Sequence, residues 1–150
     1  MTMEQRASVI TLGVRDLSAA RNFYTEVIGW TPFYDKNEVV FFDLGGFVLG
    51  LYAHDSLAGY LGLPAWTAAP PPYHGFSLAY NARTREEVDE IFRRLTERGA
   101  RILKAPEDAF WGGYFGHFAD ADGHAWEVAY NPQWPVMPDG RLSVGGDSPA

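Results

Sequence analysis

Over Ser8 to Val14 (S-V-I-T-L-G-V) the chain alternates larger and smaller side chains and is rich in β-branched residues, which predicts a strand. The period then changes. Leu17, Ala20, Phe23, Tyr24, Val27 and Ile28 recur at three- and four-residue spacing, with Arg21, Asn22 and Glu26 on the other face, so a helix follows. Asp16 or Ser18 supplies its N-terminal acceptor, and Gly29 supplies its left-handed stop. A short strand is predicted near Thr31 to Tyr34. A hairpin over Val39 to Leu44 and Phe47 to Ala53 comes next, turning at Gly45-Gly46. The order is β-α-β-β-β.

From Asp55 to Tyr73 the glycines Gly59 and Gly62, with Pro64 and the run Pro70-Pro71-Pro72, predict a connecting loop. The second half repeats the order. Gly75 to Tyr80 reads as a strand, and Thr84-Arg85-Glu86-Glu87 has capping-box spacing at the head of a helix to about Arg98. That helix carries an apolar stripe of Val88, Ile91, Phe92 and Leu95 and stops at Gly99. Arg101 to Lys104 is a short strand; Trp111 to Ala119 and His124 to Tyr130 form a hairpin through Asp120-Ala121-Asp122-Gly123. Overlaying the halves pairs Val9 with Gly75 and Gly50 with Glu127. The reading is one α+β domain over 1–150: module one about 8–54, linker 55–74, module two about 75–131, and a tail 132–150. In the tail, Trp134, Val136 and Met137 pack locally and the last ten residues are expected to be mobile.

Side chains alternate across a strand, so each strand divides into two faces. Ile10, Leu12, Val14, Leu49, Leu51, Phe76, Leu78, Tyr80, Trp126, Val128 and Tyr130 make a bulky face suited to packing beneath two helices. Opposite them lie Val9, Thr11, Gly13, Val48, Gly50, Tyr52, Gly75, Ser77, Ala79, Ala125, Glu127 and Ala129, mostly small. A curved sheet with a small-residue concave side encloses a cavity, here with one carboxylate, Glu127, pointing in. A partner subunit covering that face is the alternative.

Composition sharpens this picture. Aromatic residues make up 15% of the 150, which suits a ring-lined pocket. A net charge of −7 repels nucleic acid and anionic membrane surfaces. The chain has no cysteine, which removes thiol nucleophiles, disulfides and thiolate metal sites, and no apolar run of spanning or signal length, so a cytoplasmic protein is expected. Nucleophile-elbow, phosphate-loop and H-E-x-x-H patterns are missing from it.

V-R-D-L-S-A-A-R-N-F-Y (Val14 to Tyr24) followed by Gly29-Trp30, together with D-A-D-G-H-A-W-E-V (Asp120 to Val128), resembles the signature segments of the vicinal oxygen chelate superfamily of glyoxalases, bleomycin resistance proteins and extradiol dioxygenases. The resemblance implies tandem βαβββ modules forming a curved, cavity-enclosing mixed sheet with helices outside. It also implies a homodimer. In metal-using members it places four ligands at positions held here by Val9, Gly50, Gly75 and Glu127, of which only Glu127 has a donor atom. No cofactor is therefore expected. A divalent metal held by His74, His117 and Glu127 is the alternative, and it requires a bulge to turn His74 inward.

Glu127 is read as the charged contact of a bound compound, as a general acid or base if the protein is an enzyme, or as a structural group paired with a neighbour. Trp111 and Tyr114, flanking Gly112-Gly113, and Tyr52 are candidate ligand-binding rings. The sequence thus points to a small-molecule binder for an aromatic or cationic compound. The alternative is a metal-dependent lyase, isomerase or dioxygenase using Glu127 among non-standard ligands.

Overall fold

The computed structural model describes residues 3–69 and 72–145, so Pro70 and Pro71 of the proline run and the final five residues of the tail lie outside the described residues. The chain divides into two compact units, Met1–Ala69 and Pro70–Ala150, with the boundary inside the predicted linker. Each unit contains one four-stranded mixed sheet, and the order of elements is that of tandem βαβββ modules.

In the first unit β1 (Val9–Val14) leads to α1 (Leu17–Asn22), which continues as a π-helical stretch, Phe23–Ile28. Asp16 caps the helix by accepting the Ala19 N–H at 3.1 Å, and Gly29 closes it at φ 91°. Strands β2 (Tyr34–Lys36), β3 (Val39–Asp43) and β4 (Val48–Ala53) follow, in sheet order β1-β4-β3-β2 with β1 parallel to β4. β2 lies later than the predicted Thr31 to Tyr34, because Pro32 has no N–H to give a ladder. Its turn into β3 uses Asn37 and Glu38, both at positive φ as a two-residue hairpin of this hand requires. The core beneath the helical face is Leu12, Val14, Leu49 and Leu51 with the ring cluster Tyr24, Trp30 and Phe42.

The predicted loop after β4 is in part a helix, α2 (His54–Leu61), capped by Gly62 at φ 71°. Proline and glycine signals from the rest of the segment hid it. Its placement matters, because a Cβ added at Gly13 would meet His54 Nδ1 at 3.1 Å and Leu57 Cδ2 at 3.5 Å. Part of the small-residue face of this sheet is therefore covered by its own chain.

The second unit repeats the plan with β5 (Ser77–Ala82), α3 (Arg85–Glu97), β6 (Arg101–Asp108), β7 (Tyr114–Ala119) and β8 (Ala125–Tyr130) in order β5-β8-β7-β6. Thr84 caps α3 by accepting the Glu87 N–H at 3.1 Å, while the Glu87 carboxylate reaches back to the Arg83 N–H at 2.7 Å. Val88, Phe92 and Leu95 of α3 are buried, as are Leu78, Phe118, Trp126 and Val128 of the sheet. Strand β6 runs past Pro106 to Asp108, well beyond the predicted Lys104, and absorbs the lost donor in two register shifts.

Strand β5 begins two residues later than predicted, since Gly75 sits at φ 84° outside it. The ladders pair Val9 with Val48 and Ser77 with Ala125, so Val9 corresponds to Ser77 rather than to Gly75. A slip of two keeps every side chain on its face, and the division into a bulky and a small face survives. In the tail Val136 bridges Leu142, Ser143 donates its N–H to the Pro135 carbonyl, and Arg83 holds the Met137 carbonyl at 3.2 Å. These contacts tie residues 141–143 to the earlier part of the tail.

Candidate functional site

Four residues stand in one row across the small-residue face of the second sheet: Lys104 opposite His117, His117 opposite Glu127, and Glu127 opposite Ala79. Opposed residues of adjacent strands share a face with side chains about 5 Å apart. That proximity brings His117 Nε2 within 3.2 Å of Glu127 Oε2, with 26% and 32% of the two side chains exposed. The pair is accessible, not sealed. Ser77 and Ala79 are exposed beside it, and Ala125 and Ala129 flank Glu127 along β8.

Rings bound the row on one side. Phe115 stands edge-on to His117, with centroids 5.5 Å apart and planes at 83°, and Trp111 stacks on Phe115 at 6.1 Å. Trp111 folds back over Gly113, where an added Cβ would lie 1.8 Å from the indole ring and 2.6 Å from the Tyr130 carbonyl oxygen. The Gly112-Gly113 pair thus admits the chain's own tryptophan. Lys104 Nζ lies 5.3 Å from the Phe115 centroid and pairs with Glu107 at 2.6 Å.

Tyr114 does not join this group. It alternates with Phe115, so it faces α3, where its hydroxyl donates to Asp89 at 2.6 Å and Arg85 lies over its ring at 4.3 Å. The bond to Asp89 raises its pKa and keeps the donor in place. Tyr80 is held similarly by Glu87 at 2.8 Å, with burial first and Glu87 second pushing its pKa up to about 12. Tyr52 belongs to the first unit, half-buried on β4 opposite Val39 and Gly13.

His74 also lies away from Glu127. Its ring is 4.7 Å from that of His124, and it sits over Gly123 at the β7–β8 turn. His124 is buried, 3% exposed, with Nδ1 2.8 Å from Asp120 Oδ2. Asp120 Oδ1 accepts the N–H groups of Asp122 and His124 at 2.9 Å each. Asp120, Asp122 and His124 together offer three ligand atoms within 4.8 Å of one another, a spacing that suits a divalent ion. This cluster was missed from the sequence, where Asp120 reads only as a turn former. The signal lay in an Asp four residues before a His across a tight turn, which places both side chains at the hairpin mouth.

Residues 6–128 match the family model of the Glyoxalase/Bleomycin resistance protein/Dioxygenase superfamily. The chain belongs to this superfamily. A glyoxalase-related enzyme from Fulvimarina pelagi is similar over 93% of this chain and 98% of its own, at 38% identity and a TM-score of 0.83. A superfamily protein from Nocardioides shares 24% identity over 87% of this chain and 85% of its own, at a TM-score of 0.73. A lactoylglutathione lyase from Agrobacterium tumefaciens shares 24% over 88% and 98%, at 0.67. The last two speak to the fold alone. No curated protein matches the chain significantly.

Metal-using members of the superfamily would place ligands at Val9, Gly50, Gly75 and Glu127, and the residues present do not fit. Val9 is an alkyl side chain, 50% exposed. Gly50 lies beneath Phe41, where an added Cβ would be 3.0 Å from ring carbon Cε1 and 3.2 Å from Thr11 Oγ1. Gly75 stands outside β5, the residue at the register of Val9 is Ser77, whose neutral hydroxyl is not among the usual ligands, and Glu127 has His117 as its neighbour. Of these positions only Glu127 carries a carboxylate or imidazole donor, short of the three- or four-donor shell of a catalytic metal. The Asp120–Asp122–His124 group lies at another place in the fold.

Proposed function

We propose that this superfamily member is a small-molecule binding protein without the usual metal centre, taking an aromatic or cationic compound on the small-residue face of its second sheet. The observation that carries the reading is the accessible Glu127 carboxylate, set beside His117 and the Trp111–Phe115 rings, with Ser77 and Ala79 exposed on the neighbouring strand. A carboxylate next to ring faces attracts an organic cation by Coulomb and cation–π forces, and the chain's −7 charge adds to the attraction. Titration of the purified chain with a panel of cationic aromatics tests it. Saturable binding that is lost in Glu127→Gln is expected, and a panel without a saturable ligand sinks the reading.

The second reading is a metal-dependent lyase, isomerase or dioxygenase. Two observations favour it: His117 does converge on Glu127, and Asp120, Asp122 and His124 offer a separate group of donors. The 38% identical relative is described as a glyoxalase-related enzyme. Elemental analysis of the wild type beside Glu127→Ala and Asp120→Ala distinguishes the readings. Near-stoichiometric Zn, Ni, Fe, Mn or Co lost in either variant replaces the first reading with the second. We further propose a cytoplasmic homodimer working as a single domain over 1–150, on the resemblance and composition given above; sedimentation showing only monomer removes the dimer.

A further inference from the structure

Helix α2 follows β4 without a break, so its first residue, His54, stands at the end of the first sheet. A Cβ added at Gly13 of β1 would lie 3.1 Å from His54 Nδ1 and 3.7 Å from its Cα, which places the imidazole in the space a larger residue would fill. At the far end of α2 the chain turns back. Gly62 takes φ 71°, and the Leu63 N–H donates to the Ala58 carbonyl at 2.9 Å. The returning segment then meets the head of the same helix: the Trp66 N–H donates to His54 Nε2 at 3.1 Å, and the indole lies on the imidazole with centroids 4.2 Å apart and planes at 30°. The His54 side chain thus closes residues 54–66 into a loop.

A backbone N–H can only donate, so the Trp66 contact fixes Nε2 as the acceptor. Imidazole offers an acceptor only in its neutral form, since the imidazolium carries N–H groups at both nitrogens. Protonation at Nε2 sets two donors against each other, and the contact must open. The indole loses less, because its face attracts a cation. What protonation removes is the hold on the backbone, and the ring contact stays.

The side chains against His54 are Leu57 of α2 and Trp66, with Gly13 below, none of them charged. The titratable groups on the elements around it are Tyr52 of β4, Asp55 of α2, Glu38 of the β2–β3 turn, and Arg15 and Asp16 beyond the end of β1. Glu38 accepts the Ser56 hydroxyl at 2.9 Å and Asp16 caps α1. Among the described residues none of these groups bonds to the His54 ring.

We propose that His54 is a pH-sensitive latch: its neutral ring holds the segment after α2 back on the helix through the Trp66 N–H, and protonation releases that backbone. The released stretch runs to the boundary between the two compact units after Ala69, so the length of chain free to connect them changes with pH.

Solvent exchange of backbone amides in the full chain, resolved by nuclear magnetic resonance, provides the test at pH 7.5 and pH 5.5, on either side of the ordinary imidazole value of about 6.5. Each rate is compared with that of an unstructured peptide at the same pH. Protection of the Trp66 N–H should fall about tenfold on acidification, the order of one lost hydrogen bond, while the Leu63 N–H, which donates to a carbonyl, keeps its protection. His54→Gln retains an acceptor that does not titrate and should make Trp66 protection independent of pH. His54→Phe retains a ring without an acceptor and should give the low protection at both pH values. Equal Trp66 protection at the two pH values in the wild type overturns the proposal, as does a matching fall at Leu63 or an undiminished fall in His54→Gln. The wild-type comparison decides even where a variant does not fold.

Discussion

Replacing Asp120 with alanine strips three acceptor contacts from a side chain that is only 1% exposed. Oδ1 loses the N–H groups of Asp122 and His124 at 2.9 Å, and Oδ2 loses His124 Nδ1 at 2.8 Å. Each hydrogen bond to a charged acceptor contributes about 1.5–3 kcal/mol. The three are not additive, because the Asp122 N–H is only part-buried and water can replace its acceptor. The His124 ring and N–H are buried, and breaking such a pair from one side costs about 3–5 kcal/mol. That is our expected loss for Asp120→Ala, a fall in Tm of roughly 6–20 °C for a chain of this size. Asp120→Asn keeps an amide oxygen for the turn and should lose less than half as much. Thermal unfolding followed by circular dichroism, with and without excess chelator, reads the result. An Asp120→Ala loss below about 1 kcal/mol would refute the argument that these bonds hold the turn. A wild-type Tm lowered by chelator, with the variant insensitive, would show instead that a divalent ion holds Asp120, Asp122 and His124 together.

Other positions give sharper local tests. At Gly116 an added Cβ would meet Phe92 Cζ at 2.6 Å and the Lys104 carbonyl oxygen at 2.9 Å, so Gly116→Ala should destabilise by about 1–3 kcal/mol in denaturant unfolding; no change would mean that α3 moves freely over the sheet. Gly113→Ala should destabilise by about 1–3 kcal/mol, because its Cβ would also lie 2.6 Å from the Tyr130 carbonyl oxygen, and should push the Trp111 ring off Phe115 and alter near-ultraviolet circular dichroism; an unchanged spectrum counts against the stacked arrangement. Spectrophotometric titration should find one tyrosine ionising near pH 12, lowered in Glu87→Gln. Because the folded pKa is raised above its ordinary value of 10.0, the folded state holds that proton more tightly, and Tyr80's contribution to stability is complete below pH 10 and is lost as pH rises towards 12. A Tyr80→Phe variant with the same alkaline limb of stability contradicts this.

The large strands, both amphipathic helices and the division of faces were legible because period-two and period-3.6 patterns survive any small error in register. The overlay that equated Val9 with Gly75 slipped by two residues, and that slip cost nothing in face assignment. Helix α2 was illegible because Gly59, Gly62 and the prolines beyond it resemble a loop, whereas the helix packs on β1 and β4. The site was read in part. Alternation placed Glu127 on the small face, yet which cross-strand neighbour it meets depends on the β7–β8 register, and that register brought His117 rather than His74. Tyr114 stands on the face opposite Phe115, towards Asp89, because one residue along a strand reverses the direction of a side chain. Phe41 could not be foreseen as the cover of Gly50, since its ring direction depends on packing with Phe33 and Tyr34.

The row that carries Lys104, His117, Glu127 and Ala79 has a counterpart in the first sheet: Tyr34, Phe41, Gly50 and Thr11, in the same strand order. In one row the Phe41 ring lies over buried Gly50, and the other keeps ionisable groups within reach of solvent. In a deep mutational scan the two rows should therefore separate by phenotype: substitutions along the first register as lost protein abundance, and those along the second as lost recognition by a protein still present in full amount. The pattern also locates where new chemistry can be grafted, because a histidine and a glutamate at Phe41 and Gly50 would write the second row's pair into a scaffold position that already has the matching strand geometry.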